Sequence, residues 1–155
     1  MYQFIIPIHH VNWSTRSVLD GISQKYKPKQ IYVVTSDNEI KIFKDKSNSW
    51  DIENLTLLDE DDFFLSKYGL TKTDIVSWIT QNKPNYTPGW LYQQIIKLGA
   101  NDAIDQLDEV FVVWDSDLLP VNSWPILDEK KEKFALLQDK SVSYTHLTLP
   151  TTEAV

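Results

Sequence analysis

The feature that most constrains this chain is the alternation at its start. Residues 2–8, "YQFIIPI", form a short apolar run of the kind that suits a buried strand. Pro7 falls near the end of that run, where a missing N–H is tolerated. "NWSTRSVLDGISQKY" follows, with Val18, Leu19 and Ile22 at helical spacing and Ser14 or Thr15 as the expected cap. Gly21 is expected to weaken that helix. "KPKQ" breaks it, and residues 31–35, "IYVVT", form a second buried strand closed by a turn at "SDNE". Strand, helix and strand with such short links predict parallel strands joined by a right-handed crossover.

The remaining pattern extends this α/β reading. Residues 40–43, "IKIF", alternate weakly and suggest a short strand; 44–54 are polar and read as a loop; 55–58, "LTLL", read as a strand. "DEDDFFLSKYGL" reads as a loop or brief helix. "TKTDIVSWITQN" reads as a helix with Ile75, Trp78 and Ile79 on its apolar face. "WLYQQIIKLGA" reads as another, with Leu91, Ile95 and Leu98 inward and Gly99 as its C-cap. "NDAIDQLD" is a further short helical segment, "VFVVW" (110–114) the central strand, and "KFALL" (133–137) one more strand. The fold class is α/β with a mostly parallel sheet and flanking helices.

At 155 residues the chain is long enough for one domain with a real core, and 6 Trp and 7 Tyr argue against disorder. A formal charge of −7 argues against a nucleic-acid partner, which would favour a basic face, so none is expected. It does not exclude an anionic substrate, because a bound metal reverses the local field. There is no Cys, hence no disulfide framework and no thiol chemistry. No apolar run approaches the roughly 20 residues that span a bilayer, and the start lacks a signal-peptide pattern. The expectation is a cytoplasmic protein without a membrane span.

The last fifteen residues, "SVSYTHLTLPTTEAV", differ from the rest in being Thr-rich and almost uncharged. Back-translated, residues 142–151 resemble the transposon-end adapter used in DNA library preparation, and the constant bases after a barcode would encode Val155 and a stop. The expectation is therefore a native part over 1–140, truncated at its C-terminus, and an adapter-derived tail over 141–155.

The chemistry gathers in "VFVVWDSDLLPV". An apolar strand ends in Asp115, Ser116 and Asp117. Ligands of open α/β sheets bind outside the carboxyl ends of the strands, so both carboxylates are sent toward that crevice. Paired hard oxygen donors suit Mg²⁺ or Mn²⁺, which also take water and phosphate oxygens. Such an ion neutralises a diphosphate leaving group. The plain alternative is a strand cap followed by a turn acid. The dense acids at 59–62 read as a solvated loop. His9 and His10, as neighbours on a strand, should point apart.

"VFVVWDSDLLPV" resembles the strand and Asp-x-Asp segment of GT-A glycosyltransferases. "TPGWLYQQIIKLGA" shortly before it sharpens the likeness, to a glycosyltransferase-like family catalogued as a domain of unknown function. The resemblance implies a GT-A, Rossmann-like fold and a metal-dependent transfer of sugar from a nucleotide-sugar donor to a glycan or other hydroxyl acceptor. It implies Asp115 and Asp117 as the pair for Mn²⁺ or Mg²⁺. Ile8, His9, His10 and Thr35 would lie near the nucleotide, with Trp114 and Ser116 beside the carboxylates. Trp90, Gln93, Gln94 and Lys97 on the preceding helix would face the donor, Lys97 toward the diphosphate. The acceptor's base would lie beyond residue 140. Two other readings stand beside it. A haloacid-dehalogenase-type phosphatase would use Asp115 as nucleophile and Asp117 as acid/base, though that motif usually opens its domain and has Thr or Val where this chain has Leu119. A non-catalytic nucleotide- or protein-binding domain is the other.

Overall fold

The computed structural model describes residues 1–47, 50, 52–123 and 125–126. The chain divides into two units, 1–121 and 122–155, and every element below belongs to the first. The expected strand at 133–137 and the expected tail at 141–155 lie outside the described residues.

The elements are β1 (Gln3–Pro7), α1 (Trp13–Tyr26), β2 (Gln30–Thr35), α2 (Asp37–Ser47), β3 (Leu55–Asp59), α3 (Leu65–Tyr68), α4 (Lys72–Asn82), α5 (Pro88–Ala103) and β4 (Val112–Val113). The four strands make one sheet in the order β3-β2-β1-β4, all parallel. Gln3 pairs with Gln30 and Pro7 with Val34; Ile31 pairs with Leu55 and Thr35 with Asp59; Phe4 and Ile5 pair with Val112 and Val113. The molecule is thus α/β, a parallel sheet flanked by helices, consistent with a Rossmann-like fold. Among the described residues no helix is long and apolar enough to cross a membrane.

The sheet is covered on both faces, as an all-parallel sheet requires. Ile5, Tyr32 and Val34 on one face pack with Phe63, Phe64, Ile79, Tyr92 and Ile96 from the α3–α5 side. On the other face Phe4 meets Tyr26 of α1 at 5.5 Å and Trp114 at 6.2 Å between ring centroids. Val18, Leu19 and Ile22 of α1 are buried as their spacing predicts.

Several expectations are corrected. Helix α1 is capped by Asn12, whose side chain accepts from Ser14 N at 2.9 Å, while Thr15 Oγ1 accepts from Asn12 N at 3.0 Å. This reciprocal box puts Thr15 inside the first turn rather than at the cap. Gly21 has a packing reason: a Cβ there would come within 2.8 Å of Pro120 Cγ. Residues 40–43 are helical, because Ser36 starts a helix instead of a turn. Ile40 N donates to Ser36 O, and Phe43 turns inward onto Trp50 at 5.2 Å. Helix α5 does not stop at Gly99 but runs on to Ala103, absorbing "NDA". Its fully buried stripe is Tyr92, Ile96 and Ala100; of the predicted residues, Leu91 and Ile95 are half-buried and pack against the same core cluster, while Leu98 is 85% exposed. In α4, Ile79 is buried but Trp78 is exposed. Strand β4 is two residues long and, among the described residues, an edge strand paired only with β1. A continuous apolar run reports burial, not lateral position in a sheet.

Candidate functional site

Parallel strands bring all their carboxyl ends to one edge. The chain lays β1, β2 and β3 outward in one direction, then returns to add β4 on the other side of β1. The β1/β4 boundary is therefore the topological switch point, the place at which open α/β sheets bind their ligands. Residues 8–10 leave β1 there, and residues 114–117 leave β4.

The placement of β4 is secured at the opposite end of the sheet. Gln3 is buried; its Nε2 donates to Gln106 O at 3.0 Å and its Oε1 accepts from Asp108 N at 2.5 Å. Lys29 adds an ion pair to Asp108 at 2.7 Å. These contacts hold the segment entering β4, and Trp114 N donating to Ile5 O at 2.9 Å continues the ladder past it.

Beyond the strand, Trp114 is buried against Phe4 and, at 5.8 Å, Tyr26. Its Nε1 donates to Leu118 O at 2.7 Å, and Leu118 N donates to Asp115 O at 3.1 Å. The indole thus anchors the turn that carries both carboxylates, with Pro120 seated against Gly21 behind it. Asp115 forms an ion pair with Lys97 of α5. Asp117 is exposed and has no ion pair or hydrogen bond among the described residues, and Ser116 lies half-buried between the two. Both Asp115 and Asp117 are open to solvent, two carboxylates separated by one residue in the chain. No third acid or histidine joins them among the described residues.

The other predicted residues distribute as follows. Ile8 is buried and its N–H donates to Val34 O at 2.9 Å. His9 and His10 lie beyond β1, exposed, with ring centroids 4.1 Å apart; the chain has left the strand, so the rings do not alternate in direction. His10 Nδ1 is 3.0 Å from Glu39 Oε1, and Val11 N donates to Glu39 Oε2 at 2.7 Å. Accepting the Val11 N–H above all, and pairing with His10, holds the Glu39 carboxyl below its ordinary 4.5. Thr35 is fully buried at the end of β2, and its hydroxyl has no hydrogen-bond partner among the described residues, an arrangement that is costly unless a ligand or water completes it. Trp90 is half-exposed and lies parallel to Tyr86; Gln93 and Gln94 are half-buried on the same side of α5 as Lys97. The acids at 59–62 are partly structural. Glu60 is buried and paired with Lys72, and its carbonyl accepts from Tyr92 OH at 2.5 Å, while Asp61 and Asp62 are exposed. Burial, and then the nearby Glu60, push the Tyr92 hydroxyl pKa well up.

Sequence reasoning missed Glu39 and Tyr86. Tyr86 lies four residues before Trp90, a spacing legible in the sequence, whereas Glu39 bonds to Val11 N and His10, 28 and 29 residues away, which no local pattern signals. A cavity of about 680 Å³ lies away from the switch point, among α3, α4 and α5, lined by Phe64, Ile75, Trp78, Ile95 and Leu98. Its two acids are already engaged, Asp74 by Thr71 and Asp102 by Lys67 and Tyr68. It thus offers apolar surface but few polar groups for chemistry, and the switch point is the better candidate.

No curated protein and no solved structure matches the chain. Residues 17–147 match DUF6492, described as a family of unknown function, and the chain belongs to that family.

Proposed function

We propose that this chain carries the donor-binding part of a metal-dependent glycosyltransferase of GT-A type, acting on a nucleotide-sugar donor. The observation that carries the reading is the position of Asp115 and Asp117 at the β1/β4 switch point, at the carboxyl edge of a parallel sheet. Asp117, with Asp115, would hold Mn²⁺ or Mg²⁺, which neutralises a diphosphate leaving group. Lys97 supplies a fixed positive charge beside the same carboxylate and is suited to the diphosphate once Asp115 turns to the cation. The segment after β1, held by Glu39, and the unsatisfied Thr35 hydroxyl suit the nucleoside. Trp114 orients the carboxylate turn from behind.

Calorimetric titration with UDP-glucose or GDP-mannose, with and without Mn²⁺, tests the reading. Metal-dependent binding that disappears in Asp117→Ala, with the circular dichroism spectrum unchanged, is expected. Absence of binding for both donors counts against it. Release of phosphate from p-nitrophenyl phosphate would instead favour the phosphatase chemistry of an Asp-x-Asp strand end.

A further inference from the structure

We propose that Tyr86 and Trp90 form a platform for a pyranose ring of a saccharide acceptor, next to the Asp-x-Asp turn; this rests on the glycosyltransferase reading above. The two rings are parallel within 7°, with centroids 6.5 Å apart, and are 51% and 53% exposed. Side by side, the two half-exposed rings make a contiguous apolar surface, the kind of patch that marks a binding site. Their mutual position is built in. Tyr86 N donates to Lys83 O at 3.0 Å, closing the turn before α5, and Pro88 starts the helix at its first position.

The platform also has a defined place relative to the carboxylates. Trp90, Gln94 and Lys97 share one side of α5 by helical spacing, and Lys97 touches Asp115. Helix α5 leads toward Gln106, which is bonded to Gln3 at the amino end of β1, so its first turn stands at the carboxyl edge. Trp90 then lies about 10 Å further along the helix axis than Lys97, on the side away from the amino end of β1. A pyranose presents an apolar C–H face to an aromatic ring and a rim of hydroxyls to neighbouring amides. Gln93 and Gln94 supply such amides between the rings and Lys97. An acceptor ring held there would direct a hydroxyl toward a donor bound at Asp115 and Asp117.

The test uses saturation-transfer NMR on the whole chain with maltotriose, cellotriose and chitotriose as probes. Transfer from protein aromatic protons to the C–H protons of at least one trisaccharide is expected. Trp90→Ala and Tyr86→Ala should each weaken that binding about tenfold, with Trp90→Phe intermediate. No transfer to any of the three, or unchanged affinity in both alanine variants, overturns the proposal. UDP-glucose with Mn²⁺ is titrated into the same proteins. Donor binding that needs Asp117, without saccharide binding, sinks the platform alone. Saccharide binding that needs the aromatic pair, without any donor binding, supports the platform and sinks the glycosyltransferase reading.

Discussion

Lys97, midway along α5, forms an ion pair with Asp115, 18 residues later and two residues past the end of β4. The lysine side chain is 18% exposed and the carboxylate 50%. A pair with one partner half in water contributes little to stability, about 1 kcal/mol or less. Lys97→Met should therefore leave the thermal midpoint almost unchanged while weakening UDP-glucose binding in Mn²⁺ about tenfold. Equal donor affinity in the two proteins would remove Lys97 from the site.

Trp114 Nε1 donates a hydrogen bond to Leu118 O, within the turn that carries the carboxylates. Trp114→Phe keeps most of the packing on Phe4 and Tyr26 but leaves that carbonyl without its donor. A loss of about 1–3 kcal/mol is expected, read as a lower urea midpoint at unchanged slope. A midpoint equal to that of the parent chain would mean that the bond does not fix the turn.

Two glycines of α5 should respond in opposite directions to alanine. A Cβ on Gly99 would stand 2.7 Å from Phe64 Cε1, and that buried ring is boxed in by Phe63 at 4.9 Å and Tyr92 at 6.5 Å. Overpacking of about 1–3 kcal/mol should outweigh the helix-propensity gain of about 1 kcal/mol. Gly89 has nothing within 4 Å of its would-be Cβ, so Gly89→Ala should stabilise by up to about 1 kcal/mol. Urea denaturation of both variants decides the matter, and a stabilising Gly99→Ala would contradict the packing at Phe64.

Glu39 ties the segment after β1 to α2, and its carboxyl titrates below 4.5 chiefly because it accepts the Val11 N–H. The folded chain therefore releases this proton more readily than the unfolded one. The stability that Glu39 contributes is fully present above the unfolded value of about 4.3 and is lost as the pH falls through the lowered folded value. Glu39→Gln should be less stable than the parent at pH 7 by about 1 kcal/mol, with the gap closing below about pH 4. A gap that stays constant across urea titrations from pH 7 to pH 3 would contradict that linkage.

Much of the fold was legible in the sequence because its signals are local. The runs "FIIPI", "IYVVT" and "LTLL" are strands, and Val18, Leu19 and Ile22 form a buried helical stripe. The misreadings share a cause. "IKIF" alternates like a strand, yet Ser36 starts a helix through it, and four residues are too few to separate the two periods. Helix α5 is apolar on two sides. Leu91 and Ile95 do pack against the core, but Tyr92, Ile96 and Ala100 take the fully buried positions and Leu98 is left exposed, a choice that only the position of the sheet makes. The Asp-x-Asp was visible as a motif. Its coupling to Lys97, the anchoring by Trp114 and the clamp at Glu39 were not, since each joins parts of the chain that only folding brings together, or depends on a turn's exact path.

The sequence by itself determined the kind and order of most elements, α2 excepted, and the presence of two acids at a strand end, since strand and helix periods and turn residues act over a few neighbours. The tertiary structure decided the lateral order β3-β2-β1-β4, and with it the switch point that receives those acids. It also decided which side of α5 meets the sheet and which meets Asp115. Those choices follow from packing and pairing between distant segments, whose free energy depends on the whole assembled sheet and on no single stretch of chain.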